Sequence, residues 1–261
     1  MMFKSLLSRG AMGAVFAAAV AMTNPASAVP VDVELQLLVD VSGSVDAGEY
    51  TLQMGGIGQA FQSAAVQNAI SAGTIGSIAV QVIQWASNQT VSIDWTEVTS
   101  ANAGAIGMQI AGLSRASVGS QTGPGSAINF GAPLFTNNGF EGDRLVMDVS
   151  GDGAQNTGAS TPNARDAALA GSGTQDAVDA INGLPITIDD PSLEAWYTDN
   201  VIGGTDSFVI ASESFEDFRN AIEQKLISEI TGEPPQVSEP AVIAMLGMGI
   251  VGLAMFRRRT A

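Results

Sequence analysis

The stretch Val33-Glu34-Leu35-Gln36-Leu37-Leu38-Val39-Asp40-Val41-Ser42-Gly43-Ser44 decides the fold. Its first seven residues read as a β-strand entering a buried sheet. The strand runs into Asp-x-Ser-x-Ser, which puts the Asp40 carboxylate and the Ser42 and Ser44 hydroxyls on one tight loop. All three side chains offer oxygen and none offers nitrogen or sulfur, a donor set suited to a hard divalent cation. Taken alone, such a loop more often serves as a turn or a helix cap, because Asp and Ser do both well. Its position at the end of a core strand points to a site, since open α/β sheets bind ligands beyond the carboxyl ends of their strands.

Apolar, β-rich runs alternate with helical patterns through the rest of the chain. That alternation predicts an α/β fold, a doubly wound, mostly parallel sheet with helices on both faces and one antiparallel edge strand. Asp46 and Glu49 have the spacing of a helix cap, predicting a helix to about Asn68. Ser77 to Trp85 and Gln89 to Ile93 read as a strand pair turning at Ser87-Asn88. A helix over Ala103 to Leu113, a loop over Ser117 to Gly125 and a helix over Ser126 to Phe135 follow. Leu145 to Val149 is a core strand entering the turn Ser150-Gly151-Asp152-Gly153. A helix over Pro162 to Ala170 starts on a proline. Gly171 to Thr174 reads as a loop, Ala180 to Leu184 and Ser207 to Ala211 as strands, and Phe215 to Ile230 as a closing helix. Three loops, Asp40 to Ser44, Thr122 to Ser126 and Ser150 to Asp152, are expected to converge at one sheet edge.

Composition excludes several chemistries. The 261 residues contain no cysteine and no histidine, which removes Cys/His zinc sites, disulfides, cysteine nucleophiles and Ser-His-Asp triads. Catalytic residues are therefore expected to be none. Arg115, Arg144, Arg165, Arg219 and Lys225 are the five basic residues between Val29 and Pro240, against all 26 acidic ones, a formal charge of −21. Nucleic acid and anionic membrane surfaces are poor partners for such a domain.

The two ends read as addresses. Lys4 and Arg9 precede an apolar stretch from Ala11 to Met22, and Ala26-Ser27-Ala28 is a small-x-small cleavage site. Residues 1–28 are expected to be a secretory signal peptide, followed by one domain over 29–230. A linker with a short polar motif covers 231–240, and a hydrophobic helix with a basic tail covers 241–261. The apolar run from Ala241 to Phe256 spans roughly 24 Å as a helix, against a hydrocarbon core of about 30 Å. Arg257, Arg258 and Arg259 would act as a membrane stop on the cytoplasmic side.

Val237-Ser238-Glu239-Pro240-Ala241, the apolar run and the arginines together resemble the PEP-CTERM sorting signal of Gram-negative bacteria. Ser238 stands where that signal has its first proline, while Glu239 and Pro240 match. The resemblance implies an exosortase-type processing enzyme as a partner and delivery to the cell envelope, surface or exopolysaccharide. The plain alternative is a permanent anchor, with the C-terminal helix in the membrane.

Asp40-Val41-Ser42-Gly43-Ser44 resembles the first loop of the metal-ion-dependent adhesion site of von Willebrand factor type A (VWA) domains. Further motifs, Asp148 to Gly153, Ala164 to Leu169, Ile181 to Ile186 and Asn200 to Gly204, are similar in order to one bacterial VWA-like group. That group is catalogued as domain of unknown function eleven ninety-four. The resemblance implies metal ligation by Asp40, Ser42, Ser44 and Asp152, with Mg²⁺, or alternatively Mn²⁺ or Ca²⁺. Gly125-Ser126-Ala127-Ile128 is similar to the family's G-T-x-I stretch, placing Ser126 at the threonine ligand, with Thr122 as the backup. It further implies an adhesion-type module binding a carboxylate on a protein or acidic polysaccharide.

Two other classes stand beside that expectation. A metal-dependent hydrolase would need a general base next to activated water, and a structural matrix component would need no metal. Asp148 is expected either to turn toward the cleft behind the metal ligands or to be a hydrogen-bonded buried carboxylate. Asp148-x-Ser150-x-Asp152-Gly153 imitates the opening of an EF-hand loop, but Ala159 stands where the bidentate Glu is required. Gly247-x-Gly249-x-x-Gly252 has dinucleotide-binding spacing but lies in the hydrophobic tail without a preceding strand.

Overall fold

Strand β2 (Val33–Asp40) is buried at all eight residues, and it organises the molecule. The computed structural model describes residues 28–235. Residues 1–27 of the expected signal peptide (1–28), the motif at Glu239-Pro240 and the tail with its arginines lie outside the described residues. Among the described residues no helix is long and apolar enough to cross a membrane.

β2 pairs in parallel with β3 (Ser77–Trp85) on one side and β6 (Leu145–Gly151) on the other. β7 (Ala180–Pro185) continues the parallel sheet beyond β6. The edges are antiparallel: β4 (Gln89–Thr99) lies on β3, and the two-residue β8 (Gly203–Gly204) lies on β7. The order is therefore β4-β3-β2-β6-β7-β8. A small separate parallel pair joins β1 (Val29–Val31) to β5 (Phe140–Gly142). The doubly wound α/β expectation holds, with two antiparallel edges rather than one.

Side-chain alternation in β2 sorts the two layers. Val33, Leu35, Leu37 and Val39 enter one apolar cluster with residues of α1 (Ala47–Gln62), α2 (Ala64–Ala72), α3 (Ala103–Ala111) and α7 (Phe218–Thr231). Leu38 enters the other cluster, with α4 (Pro124–Gly131), α5 (Thr161–Ala170) and α6 (Leu193–Asn200). Successive strand residues point to opposite faces, so one strand feeds both cores. Each fully buried Leu or Val contributes about 1.5–3 kcal/mol relative to exposure. The amide nitrogen of Gln36, in the middle of β2, finds partners despite this burial, whereas its own Oε1 and Asp40 Oδ2 at the strand's end find none among the described residues. Gln36 donates to Gln81 Oε1 at 2.7 Å and to the Gly131 carbonyl at 3.0 Å.

The first layer is tightened by a close helix crossing. A Cβ on Gly58 of α1 would lie 2.4 Å from the Gly107 carbonyl of α3, and one on Gly107 would lie 2.3 Å from the Gly58 carbonyl. Only two facing glycines let those backbones meet.

Several boundaries differ from expectation. The single helix predicted to Asn68 is two helices, because Ser63 is extended and its Oγ accepts the Val66 N–H at 3.2 Å, starting α2 afresh. β4 runs past Ile93 to Thr99, with register shifts near Val80 and Val82 of its partner. The Ser207–Ala211 expectation is met only as isolated bridges: Val209 pairs in parallel with Gly183 of β7, and Ser212, one residue past the expected strand, with Ile186 just beyond β7. Helix α6 has no counterpart in the sequence reading.

Candidate metal centre

The site sits where the sheet changes winding direction. β2 leads through α1 and α2 to β3 on one side, whereas β6 leads to β7 on the other. The crevice between the carboxyl ends of β2 and β6 is the expected ligand position in such a sheet. Asp40 is the last residue of β2, and Asp152 follows the last residue of β6.

The first loop is shaped by backbone bonds. Asp40 Oδ1 accepts the Ser42 N–H at 2.7 Å, and the Val45 N–H closes back on the Ser42 carbonyl at 3.2 Å. Asp46 then caps α1, its Oδ1 accepting the N–H groups of Gly48 and Glu49 while Glu49 accepts the Asp46 N–H. That capping box is the one expected from the sequence, and it spends Asp46 on the helix rather than on the site.

The hydroxyls and carboxylates meet across the loops. Ser42 Oγ and Ser44 Oγ are 3.2 Å apart, and Ser44 Oγ donates to Asp152 Oδ1 at 2.7 Å. Thr122, buried, packs on the same turn: a Cβ on Gly153 would lie 3.5 Å from its Oγ1. Asn156 fixes it by accepting the Thr122 N–H at 2.8 Å and donating to its Oγ1 at 3.3 Å. Ser126 is turned elsewhere. Its Oγ accepts the Ala159 N–H at 2.9 Å, and its recorded hydrogen bonds reach none of Asp40, Ser42, Ser44 and Asp152. The structure thus brings Asp40, Ser42, Ser44, Asp152 and the backup Thr122 together and leaves Ser126 on the first turn of α4.

Electrostatics set the two carboxylates under tension. Burial, and then the Asp152 charge, push Asp40 up to about 8. Asp152 is raised by burial, opposed by the Ser44 hydrogen bond, with Glu49 and Asp189 adding negative charge nearby. Oδ2 of Asp40 is buried and has no hydrogen-bond partner among the described residues. An unpartnered buried carboxylate oxygen beside hydroxyls and a second carboxylate is a donor set that fits a hard cation and is otherwise costly to bury.

Residues not foreseen from the sequence support this centre. Arg115 donates to the carbonyls of Val41 and Ser42 at 2.8 and 2.6 Å, clamping the first loop from behind. Gln53 of α1 donates to the Asp40 carbonyl at 3.1 Å. Asn156 and Tyr197 complete the surroundings. A basic residue in a chain this acidic was the available signal for Arg115.

Asp148 resolves to the buried alternative. It faces the α7 layer, where Lys225 Nζ lies 2.9 Å from Oδ1 and also pairs with Glu229. Asn182 of β7 donates to Glu229 at 3.0 Å, and the Phe208 ring lies 5.7 Å from the ammonium. Asp148 is not part of the cleft.

Comparison with known proteins agrees with this architecture. Proximal thread matrix protein 1 (PTMP1) from the mussel byssus superposes with a TM-score of 0.57 at 14% identity, over 78% of this chain and 48% of that one. A structure of that protein with a zinc-occupied MIDAS motif gives 0.54 at 16% identity, over 79% and 50%. The von Willebrand factor type A structure from Catenulispora acidiphila gives 0.50 at 12%, over 77% and 43%. The chain therefore spans about half the length of these solved structures, and at such identities the likeness shows the VWA-type fold alone. A search of curated protein sequences finds no match. Residues 30–234 match the family described as "Protein of unknown function (DUF1194)", and the chain belongs to that family.

Proposed function

We propose that the protein is a binding module rather than an enzyme, and that its centre holds a divalent cation through Ser42, Ser44 and Thr122, with Asp40 and Asp152 behind them. The observation that carries this reading is the convergence of three hydroxyls and two carboxylates on one crevice with a buried Asp40 oxygen left without a partner. Mg²⁺ suits an all-oxygen set with few carboxylates, and Mn²⁺ or Ca²⁺ would use the same atoms. A bound cation supplies a Lewis-acidic position that a partner's carboxylate can occupy.

The chain's own residues favour an acidic ligand only with that cation present. Glu49 and Asp189 flank Asp152, and the domain is strongly acidic overall, so a carboxylate on a protein or polysaccharide would be repelled without it. Export to the envelope or extracellular matrix, with processing by an exosortase-type enzyme, completes the proposal from the sequence of the two ends. A solved structure sharing the fold belongs to a byssal thread matrix protein, which accords with a role outside the cell.

Calorimetric titration of Mg²⁺ into the protein tests the ligand set. Thr122→Val should weaken binding at least about tenfold, roughly 1.4 kcal/mol, whereas Ser126→Ala should leave it within about twofold, roughly 0.4 kcal/mol. The reverse ranking would return the second-loop ligand to Ser126, and no heat in wild type would remove the metal centre.

A further inference from the structure

Two buried polar atoms at the base of the centre lack partners among the described residues: Oδ2 of Asp40 and the hydroxyl of Tyr197. One accepts hydrogen bonds and the other has a proton to donate. Both residues are fully buried, on different elements, Asp40 at the end of β2 and Tyr197 on α6. They border the same small space beside Gly151. A Cβ there would lie 2.7 Å from Asp40 Oδ2 and 2.9 Å from the Tyr197 hydroxyl. The two atoms are within the span of one bridging water.

Glycines on two neighbouring strands make room for this tyrosine. Gly151 of β6 leaves space for its hydroxyl, and Gly183 of β7 leaves space for its ring, where a Cβ would come within 2.8 Å of Cδ1. Trp196 packs edge-on against the ring at 5.6 Å. The phenol is thus held from outside the three site loops, with its one polar atom bordering the same space as Asp40 Oδ2.

We propose that Tyr197 is a positioning residue of the metal centre, its hydroxyl donating to Asp40 Oδ2 through one water. This rests on the metal-centre reading above. Oδ1 is already fixed by the Ser42 N–H, so a donor on one lone pair of Oδ2 sets the plane of the carboxylate and leaves its other lone pair toward the cation. Partners behind a metal's ligands act in this way, by restricting the ligands' orientation.

The chain has two tyrosines, Tyr50 and Tyr197, so fluorotyrosine labelling of the full chain gives two fluorine resonances. On titration with Mg²⁺ the Tyr197 resonance shifts and that of Tyr50, whose hydroxyl donates to the Leu113 carbonyl, does not. A ring with a purely packing role would not report the cation. Calorimetry on Tyr197→Phe gives binding weaker by roughly 10- to 100-fold, with the melting temperature in chelator little changed. If that variant fails to fold, Tyr50→Phe assigns the two signals and the titration still decides. Wild-type heat with an unmoved Tyr197 resonance overturns this inference and leaves the metal centre standing. So does wild-type heat with unchanged affinity in a folded Tyr197→Phe. No heat from wild type overturns both.

Discussion

Lys225→Met is expected to cost about 3–5 kcal/mol of stability, a fall in Tm of roughly 6–20 °C for a domain of this size. Lys225 is fully buried between Asp148 of β6 and Glu229 one turn further along α7, itself hydrogen-bonded to Asn182 of β7. Methionine keeps most of the volume but leaves two carboxylates facing each other in the core, and the uncompensated charge carries the penalty rather than the lost contact. Adding Asp148→Asn and Glu229→Gln to Lys225→Met should restore most of the loss. A triple variant as unstable as the single one would mean that packing, not charge, is responsible.

The same cluster gives the fold a pH dependence. Burial raises Asp148 and Glu229 above their ordinary values of 3.8 and 4.5, with Lys225 opposing. Between the ordinary and the raised values the folded protein keeps protons that the unfolded chain has released. Stability therefore falls as pH rises through that window. Wild type in chelator should melt higher at about pH 5 than at about pH 8, and Lys225→Met should steepen the difference. A flat profile in both proteins would contradict the buried cluster.

Asp152→Asn is expected to separate binding from stability. The amide oxygen can still accept from the Ser44 hydroxyl, now 2.7 Å from Asp152 Oδ1, so the loop geometry survives. The charge that repels Asp40 is gone. In chelator the variant should melt above wild type by roughly 2–4 °C, about 1 kcal/mol, while its Mg²⁺ affinity falls at least about 100-fold, roughly 2.7 kcal/mol. Such opposed effects mark a site whose charges are placed for a ligand at the expense of the metal-free fold. A variant less stable than wild type in chelator would make Asp152 a structural carboxylate.

What the sequence made legible follows from where local signals coincide with tertiary ones. β2 and its Asp-x-Ser-x-Ser loop, the Asp46–Glu49 capping box and β6 with its Gly-Asp-Gly turn each carry a hydrophobic run ended by polar turn residues, and all three are present as expected. Ser63 was not legible as a break, because only its extended backbone reveals that its hydroxyl starts a new helix. Read from the sequence, β4 ends at Ile93, because Asp94 interrupts the apolar run. The strand continues because Trp95 donates to the Leu134 carbonyl at 2.8 Å and packs on Phe135, contacts more than thirty residues away. The proposed exchange of Ser126 for Thr122 as the second-loop ligand turns on where α4 begins. With Pro124 as its first residue, Ser126 lies inside the helix facing Ala159, and Thr122 is left in the loop beside Gly153. Tyr197 sits on a short helix with weak periodicity, so neither α6 nor its approach to Asp40 could be read from residue order.

The most direct test of the metal centre is diffraction from crystals soaked in Mn²⁺, with the anomalous signal used to place the ion. The account predicts one dominant peak in the crevice bounded by Ser42, Ser44, Thr122 and Asp152, lost in Asp152→Asn. A map without a peak in that crevice, or with its dominant peak among the acidic side chains of Glu49 and Asp189 instead, would contradict it.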